Sequence, residues 1–533
     1  MMPAMGRLPR LALLAALGAG VFLAGLELMV TATALPSIVT SLADWTRLRQ
    51  ASWIINGYLV AYVATMPLAG RLGDRLGITG PYLVSLGIFA LGSALSGTAQ
   101  SLDALIAARV LQGLGGGALV PLATSGASHL FEGSARARAL GVIGALTFLG
   151  MAAGPFVGAA ILDTGDLRPA LEAGGFPGWL VSTVTPAWRW VFYVDVPAAI
   201  VAALYTWAAA PAWGAPRVRT PLRVPVLGLF TVGLAGALLA LTWAGSSDAP
   251  GGRTGEVLLV GGSVVALAGA FTLGRATRDT LLDPRRYLEP VLGGAVAVSA
   301  LTGYGLATAL IGGAVFVDRV LYGGPPDQRV VLGALAAAMA AGALVSGLVV
   351  RRAGIVPVSL AGLALSAAAM AALGTTTRLT PLGELATLLG VFGFGFGLTV
   401  SPRSVAAVEA AGRSAFGVAA GAVTVARMLG MAVGLAVLTA FGSGRIESLS
   451  RAIQDQAFRD SVLPVDLRGR PLADGLVVDA LERWAAGQGA SILGGLFVVA
   501  GVVTLVAVLP ALAMRRRTAA TFPAPPATAL PPG

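Results

Sequence analysis

The 533-residue chain contains no cysteine and no lysine, and its single histidine is His129. Without cysteine there is no disulfide, no thiolate metal site and no Cys nucleophile. One histidine cannot build a multi-histidine metal centre, and no metal or cofactor is expected. Without lysine there is no Gly-Lys-Ser/Thr phosphate loop, which excludes ATP-driven transport by this chain. Charge is scarce as well: charged residues make up 11% of positions and hydrophobic ones 56%, against about 25% charged in soluble domains. A water-soluble fold could not hide so much apolar surface, so lipid is the main solvent. The 36 basic residues are all arginine and give a formal charge of +11. They are not gathered into one stripe, which argues against a nucleic-acid partner.

Fourteen apolar runs are long enough to span a bilayer. They lie near 11–35, 51–70, 81–99, 104–127, 138–162, 188–210, 223–245, 256–274, 291–316, 329–350, 357–374, 384–404, 416–440 and 488–513. The expected class is an all-α polytopic membrane protein with a six-helix bundle over 1–210, two inserted helices over 211–290 and a second bundle over 291–513. A disordered tail over 514–533 follows. The first run carries Glu27 and leads into Ala34-Leu35-Pro36, which reads as a retained helix rather than a cleaved signal. An even helix count puts both termini on one side. That side collects 20 arginines, Arg403 among them, against 6 in the short opposite loops (Arg47, Arg49, Arg168, Arg253, Arg319, Arg378). The bias predicts a multi-pass cell-membrane protein with both termini cytoplasmic. The insertion at 441–487 falls outside, where 445–459 and 475–486 read as helical extensions joined by a turn around Pro464 to Pro471; a solvated loop is the plainer reading.

The chain also repeats itself. Gly70-Arg71-Leu72-Gly73-Asp74-Arg75-Leu76-Gly77 returns in worn form 277 positions on, as Gly347 to Gly354 with Arg352 in the place of Arg75. Leu149-Gly150-Met151-Ala152-Ala153-Gly154 returns 280 positions on as Leu429-Gly430-Met431-Ala432-Val433-Gly434. Two parallel halves joined by short basic loops are the build of a secondary transporter. The first element reads as a charged loop acting as a gate, with Gly70 and Gly77 permitting close approach and tight turning. Asp74 is placed at a neighbouring helix N-terminus, and Arg71 and Arg75 reach for carboxylates.

That element resembles the signature between helices 2 and 3 of the major facilitator superfamily. Further stretches resemble its fourteen-helix drug:proton antiporter branch. They are Glu27 with Ala34-Leu35-Pro36, Arg109-Val110-Leu111-Gln112-Gly113, the helix-5 run Gly150, Gly154, Pro155 and Gly158, and Trp188-Arg189-Trp190-Val191-Phe192. Asp195 stands where that branch commonly has Asn. Ser52-Trp53-Ile54, Ala64-Thr65-Met66-Pro67-Leu68, Val425 to Met431 and the 441–487 insertion look like actinobacterial triacylglycerol and lipid exporters. The resemblance implies functional charges at Glu27 and Arg427. That group's helix-5 carboxylate is unmatched, since Phe148 and its neighbours occupy the stretch.

A carboxylate at the depth of Glu27, about 13 Å from a helix end near Pro36, costs about 2.5–3.5 kcal/mol to insert and is functional by default. Glu27 is therefore the expected proton carrier, with Arg109 as partner; Arg109 as a mere tie to backbone carbonyls is the plainer reading. Asp195 reads equally as a second protonatable group or a water-facing helix-end residue. Arg427 reads as a binder of lipid ester or anionic groups, or as a stiffener between bundles. Gly150, Gly154 and Gly158 present one smooth face beside Pro155, either a sliding surface or a packing seam. Asp318 and Arg319 are an expected rim pair, and His129 an exposed helix-end residue. The expected function is proton-coupled export of lipophilic or amphipathic compounds, of the multidrug efflux type, by a monomer. The alternative is export of membrane lipid toward the outer leaflet or a periplasmic carrier.

Overall fold

The computed structural model describes residues 7–42, 48–51, 53–164, 168–209, 224–243, 252–277, 284–412, 415–471 and 474–515. Arg217, Arg219, Arg223, Arg278, Arg413 and most of the 514–533 tail lie outside these residues. With no water in a bilayer to satisfy peptide groups, a chain this apolar bonds its backbone within helices, and no strand occurs among the described residues. The long helices are α1 (Arg7–Leu42), α2 (Trp53–Leu76), α3 (Thr79–Thr98), α4 (Leu102–Leu130), α5 (Gly133–Leu162), α6 (Arg189–Ala209) and α7 (Val224–Trp243). They continue as α8 (Gly252–Ala276), α9 (Pro290–Arg319), α10 (Pro325–Ala353), α11 (Ile355–Leu373), α12 (Leu382–Ala411), α13 (Phe416–Gln454) and α14 (Gly475–Ala513). Thirteen of them are long and apolar enough to cross a membrane, and α7 has a shorter apolar run, Pro225–Leu241.

Three boundaries differ from expectation. The α1 helix runs past position 36 to Leu42, which puts Glu27 about 22 Å from that end rather than about 13 Å. Gly70 to Arg75 are not a loop: α2 continues to Leu76, and only Gly77, with φ 83°, turns the chain. Burial of Gly70 and Gly73 against other helices offsets the poor helix propensity of glycine. The run expected to end at 404 continues to Ala411, so Arg403, counted with the cytoplasmic arginines, is not at a helix end. It sits within α12, 2% exposed, because the apolar run resumes through Val405 to Val408.

The sequence repeat is a packing repeat. Helix α1 packs on α5 as α9 does on α13, α2 on α4 as α10 does on α12, and α3 on α4 as α11 does on α12. A Cβ placed on Gly150 would lie 2.1 Å from the Phe22 carbonyl oxygen of α1; one on Gly430 would lie 1.8 Å from the Ala300 oxygen of α9. The reverse contacts match too, Gly25 against the Thr147 oxygen and Gly303 against the Arg427 oxygen. The six-residue glycine echo thus seats the fifth helix of each half against the first. Gly430→Val should lower the melting temperature in detergent by the several degrees that 1–3 kcal/mol of overpacking implies. Gly495→Val, whose Cβ would meet nothing within 4 Å, is the control; equal melting of the two would refute the close approach.

The halves meet along two crossings related by the same repeat, α5 with α10 and α2 with α13. Helices α7 and α8 pair with each other and lean on α2 and α13, where Val226, Leu227 and Ala270 meet Ala415 and Val418. The 441–487 stretch adds length to α13 and α14, with a short helix Gln456–Val462 and a 3-10 turn Val465–Leu467 between them. Leu463, Leu467, Val477 and Ala480 bury a small core there. Phe458 meets Trp484 edge to face at 6.0 Å, and Tyr322 donates to the Glu482 carbonyl oxygen at 2.8 Å.

Candidate functional site

Glu27 is completely buried on α1, and its Oε1 accepts from Arg109 Nη1 of α4 and from Thr31 Oγ1 at 2.6 Å. Arg109, 1% exposed, spends its other contacts on the Ile54 carbonyl oxygen at 3.1 Å and Gln112 Oε1 at 2.6 Å. Its guanidinium lies 4.2 Å from the Tyr58 ring centroid and 5.5 Å from that of Phe192. Gln112 passes the chain on to Ser93 Oγ at 3.1 Å, which donates to the Phe192 carbonyl oxygen. Asp195 opens the second part of α6 with 0% exposure, so it is not a water-facing end residue. Glu27 and Arg109 are its charged neighbours, and Ser93, whose proton goes to the Phe192 carbonyl oxygen, lies beside it. Two carboxyls around one guanidinium carry a net −1 when all are ionised, a costly state away from water. One proton on the pair brings the cluster to neutrality.

The second group of predicted residues meets at the arginine-rich helix ends. Asp74 Oδ1 accepts from the Gly417 N–H at 2.8 Å and Oδ2 from Val418 at 3.1 Å, which caps α13 across the boundary between halves. A carboxylate at a helix N-terminus meets both free N–H groups and the positive end of the helix dipole. Gly70 faces Gly417 so closely that a Cβ on it would lie 2.3 Å from the Gly417 oxygen. Ser401 Oγ donates to the Ala137 oxygen at 2.7 Å, and Arg351 to Ser134 Oγ at 2.9 Å. Arg71 is buried, whereas Arg75 is exposed and makes no ion pair among the described residues, so it does not take the predicted carboxylate. His129 is not a free surface residue. Its ring lies 4.8 Å from that of Phe416, under which Arg136 also sits at 4.9 Å, because α4 ends against the start of α13.

Arg427 is apart from the acidic cluster. It lines a cavity between the halves together with Thr124 of α4, Thr147 of α5, Arg403 and Ser404 of α12 and Thr424 of α13. Thr147 precedes Arg427 by 280 positions, the offset of the glycine echo, so the repeat brings the two equivalent positions to one space. Arg403 was missed by sequence reasoning because the apolar run reads as ending at 404, which counts this arginine with the cytoplasmic ones; the apolar residues Val405 to Val408 after it were the signal. A tyrosine pair links the two regions: Tyr58 lies against Arg109, stacks on Tyr62 at 5.5 Å, and Tyr62 neighbours Arg427. Phe148, at the unmatched helix-5 position, makes an edge contact with Phe396 at 5.7 Å, an apolar join between halves. Gly158 faces Thr33 and Gly154 faces Met29 and Val30, so the smooth face with Pro155 seats α5 on α1. Asp318 and Arg319 pair at 2.9 Å on the exposed rim.

Comparison with known proteins agrees with this architecture. A triacylglyceride transporter of Mycolicibacterium hassiacum is 32% identical over 477 residues, covering 86% of this chain and 83% of that one. One of Mycolicibacterium smegmatis is 30% identical, covering 84% and 79%. Among solved structures, the human organic anion transporter MFSD10 superposes with a TM-score of 0.59 at 16% identity, over 93% of this chain and 99% of that one. A bacterial homologue of the human lysosomal transporter Spinster gives 0.56 at 17%, over 96% and 100%. The family model of the Major Facilitator Superfamily matches residues 17–435, and the chain belongs to that superfamily of membrane transporters.

Proposed function

We propose that this transporter exports lipids and lipid-like amphiphiles in exchange for protons, by alternating access of its two halves. The observation that carries the reading is the buried Glu27–Arg109–Asp195 cluster, whose charge balances only with one added proton. Loss of that proton leaves a net charge that favours hydration, so the cluster prefers different degrees of closure in its two states. The Tyr58–Tyr62 stack gives a physical route from the cluster to the inter-half cavity. The arginine bias places the latched helix ends, and both termini, in the cytoplasm. On that orientation the latched state is closed inside, and the 441–487 extension stands outside as a ramp or dock for departing lipid. The named activity of the mycobacterial relatives favours lipid over drugs as cargo.

One proton moving inward supplies about 2.3 kcal/mol per 100 mV, and one pH unit about 1.4 kcal/mol more. A 1:1 exchange with a neutral cargo then sustains a gradient of about 500-fold. Proteoliposomes with an imposed pH gradient should move a fluorescent acylglycerol against its gradient, and collapse of the gradient should stop net movement. Transport that ignores the gradient would rule out proton coupling. Dye efflux without any lipid movement would instead favour drug export.

The capping carboxylate has its own expected signature. In Asp74→Asn one amide oxygen replaces two charged acceptors, so one of the Gly417 and Val418 N–H groups loses its partner. Turnover should fall several-fold while cargo binding stays within twofold of native, read by transport rate and equilibrium binding on the same preparation. Unchanged turnover would reject a gating role for Asp74.

A further inference from the structure

The cavity between the halves has an uneven inventory of charge and of hydrogen-bond donors. Arg403 is buried and Arg427 largely so, each inside a spanning helix, and among the described residues no Asp or Glu lines the cavity. Arg427 is the charged neighbour of Arg403, so two like charges face one space with no counterion among the described residues of its lining. Thr124, Thr147 and Thr424 give their hydroxyl protons to carbonyls of their own helices at 2.8–2.9 Å, which leaves Ser404 as the remaining hydroxyl of the lining. Arg403 donates through Nη1 to Thr302 Oγ1 at 2.7 Å and stacks 5.0 Å over Phe396, which fixes its direction. Arg427 makes no hydrogen bond among the described residues, and its Nε is buried without a partner. The rest of the wall is apolar, including Val120, Leu140, Ile143, Val400 and Val423.

A guanidinium left without a partner away from water is costly, and a carboxylate or phosphate supplies the charge and the paired acceptors that its planar fork fits. We propose that Arg403 and Arg427 form a head-group pocket for one anionic group, carboxylate or phosphate, of an amphiphilic lipid whose acyl part lies along the apolar wall. This rests on the lipid-transport reading and narrows it, from lipophilic compounds in general to acidic amphiphiles. The first-half position Thr147, equivalent to Arg427, carries no charge, so the anion is held by the second half alone.

Equilibrium binding to the purified full chain in nanodiscs of neutral lipid tests this, with oleate, oleoyl lysophosphatidate, methyl oleate and monoolein as probes. The native chain should bind one or both of the anionic probes at least tenfold more tightly than the two neutral ones. The tighter anion identifies the head group as carboxylate or phosphate. Arg403→Gln and Arg427→Gln should each bring the preference below about threefold. Thr424→Glu, which keeps both arginines and supplies an internal counterion, should do the same in a chain that stays monodisperse. Binding of neither anionic probe more tightly than its neutral counterpart by the native chain would overturn the pocket. So would a tenfold preference surviving in Thr424→Glu or in the double arginine variant. The measurement needs no proton gradient, and Glu27→Gln should keep the full preference. Absence of gradient-driven transport by the native chain, with the preference intact, would therefore count against proton coupling alone.

Discussion

Proteoliposomes carrying Glu27→Gln, with about 100 mV and one pH unit imposed, should lose gradient-driven accumulation, from an expected ratio of about 500-fold to about one, while the chain folds normally. Glutamine keeps an oxygen where Oε1 accepts from Arg109 and Thr31, so the local bonds survive. What disappears is the capacity to gain and lose a hydrogen ion at that position. Glu27→Ala differs, because it removes the acceptor and strands a buried guanidinium, at a cost of about 3–5 kcal/mol. It should be visibly less stable by thermal melting. Asp195→Asn leaves one carboxyl against one guanidinium and should keep coupled transport at reduced rate. Coupled accumulation unchanged in Glu27→Gln, or abolished only in Asp195→Asn, would move the carrier away from Glu27.

The second large effect is expected at Gly417. A Cβ there would lie 2.2 Å from the Gly70 oxygen and 2.9 Å from Asp74 Oδ1. Backbone of a neighbouring helix cannot step aside without separating α2 from α13. These helices belong to opposite halves, so Gly417→Leu penalises only the state in which the arginine-rich ends are together. Overpacking of 1–3 kcal/mol moves such an equilibrium by about 5- to 150-fold. Because the chain has no cysteine, Ser404→Cys in the cavity wall is a reporter without background. An impermeant thiol reagent applied from the arginine-rich side should label it at least fivefold faster when Gly417→Leu is also present. Equal labelling rates would show that the Gly70–Gly417 approach does not hold this end shut.

Much of this was legible because membrane folding writes itself in composition and period. Apolar length fixed the helices, and the glycine echo at offset 280 marked the equivalent α1–α5 and α9–α13 seams. Glu27 and Arg109 were visible because charge inside an apolar run is conspicuous. Asp74 was readable as a cap, yet its helix was not, since buried packing of Gly70 and Gly73 overrides their local preference. Arg403 stayed hidden among the cytoplasmic arginines because the apolar run reads as ending at 404, where α12 instead continues. His129 was misjudged because its partner, Phe416, is 287 positions away and belongs to the other half. Contacts of that kind follow from how the two bundles dock, and no local pattern encodes them.

The duplication that built the scaffold no longer holds in its charges. Threonine at 147 and arginine at 427 occupy matching positions, while the acidic cluster has Glu27 and Asp195 in the first half. On the proposed roles, power source and cargo selection sit on separate halves of one machine. A chimaera that keeps α1 to α6 and borrows α9 to α14 from a relative should change what is carried while its energy coupling is left as it was.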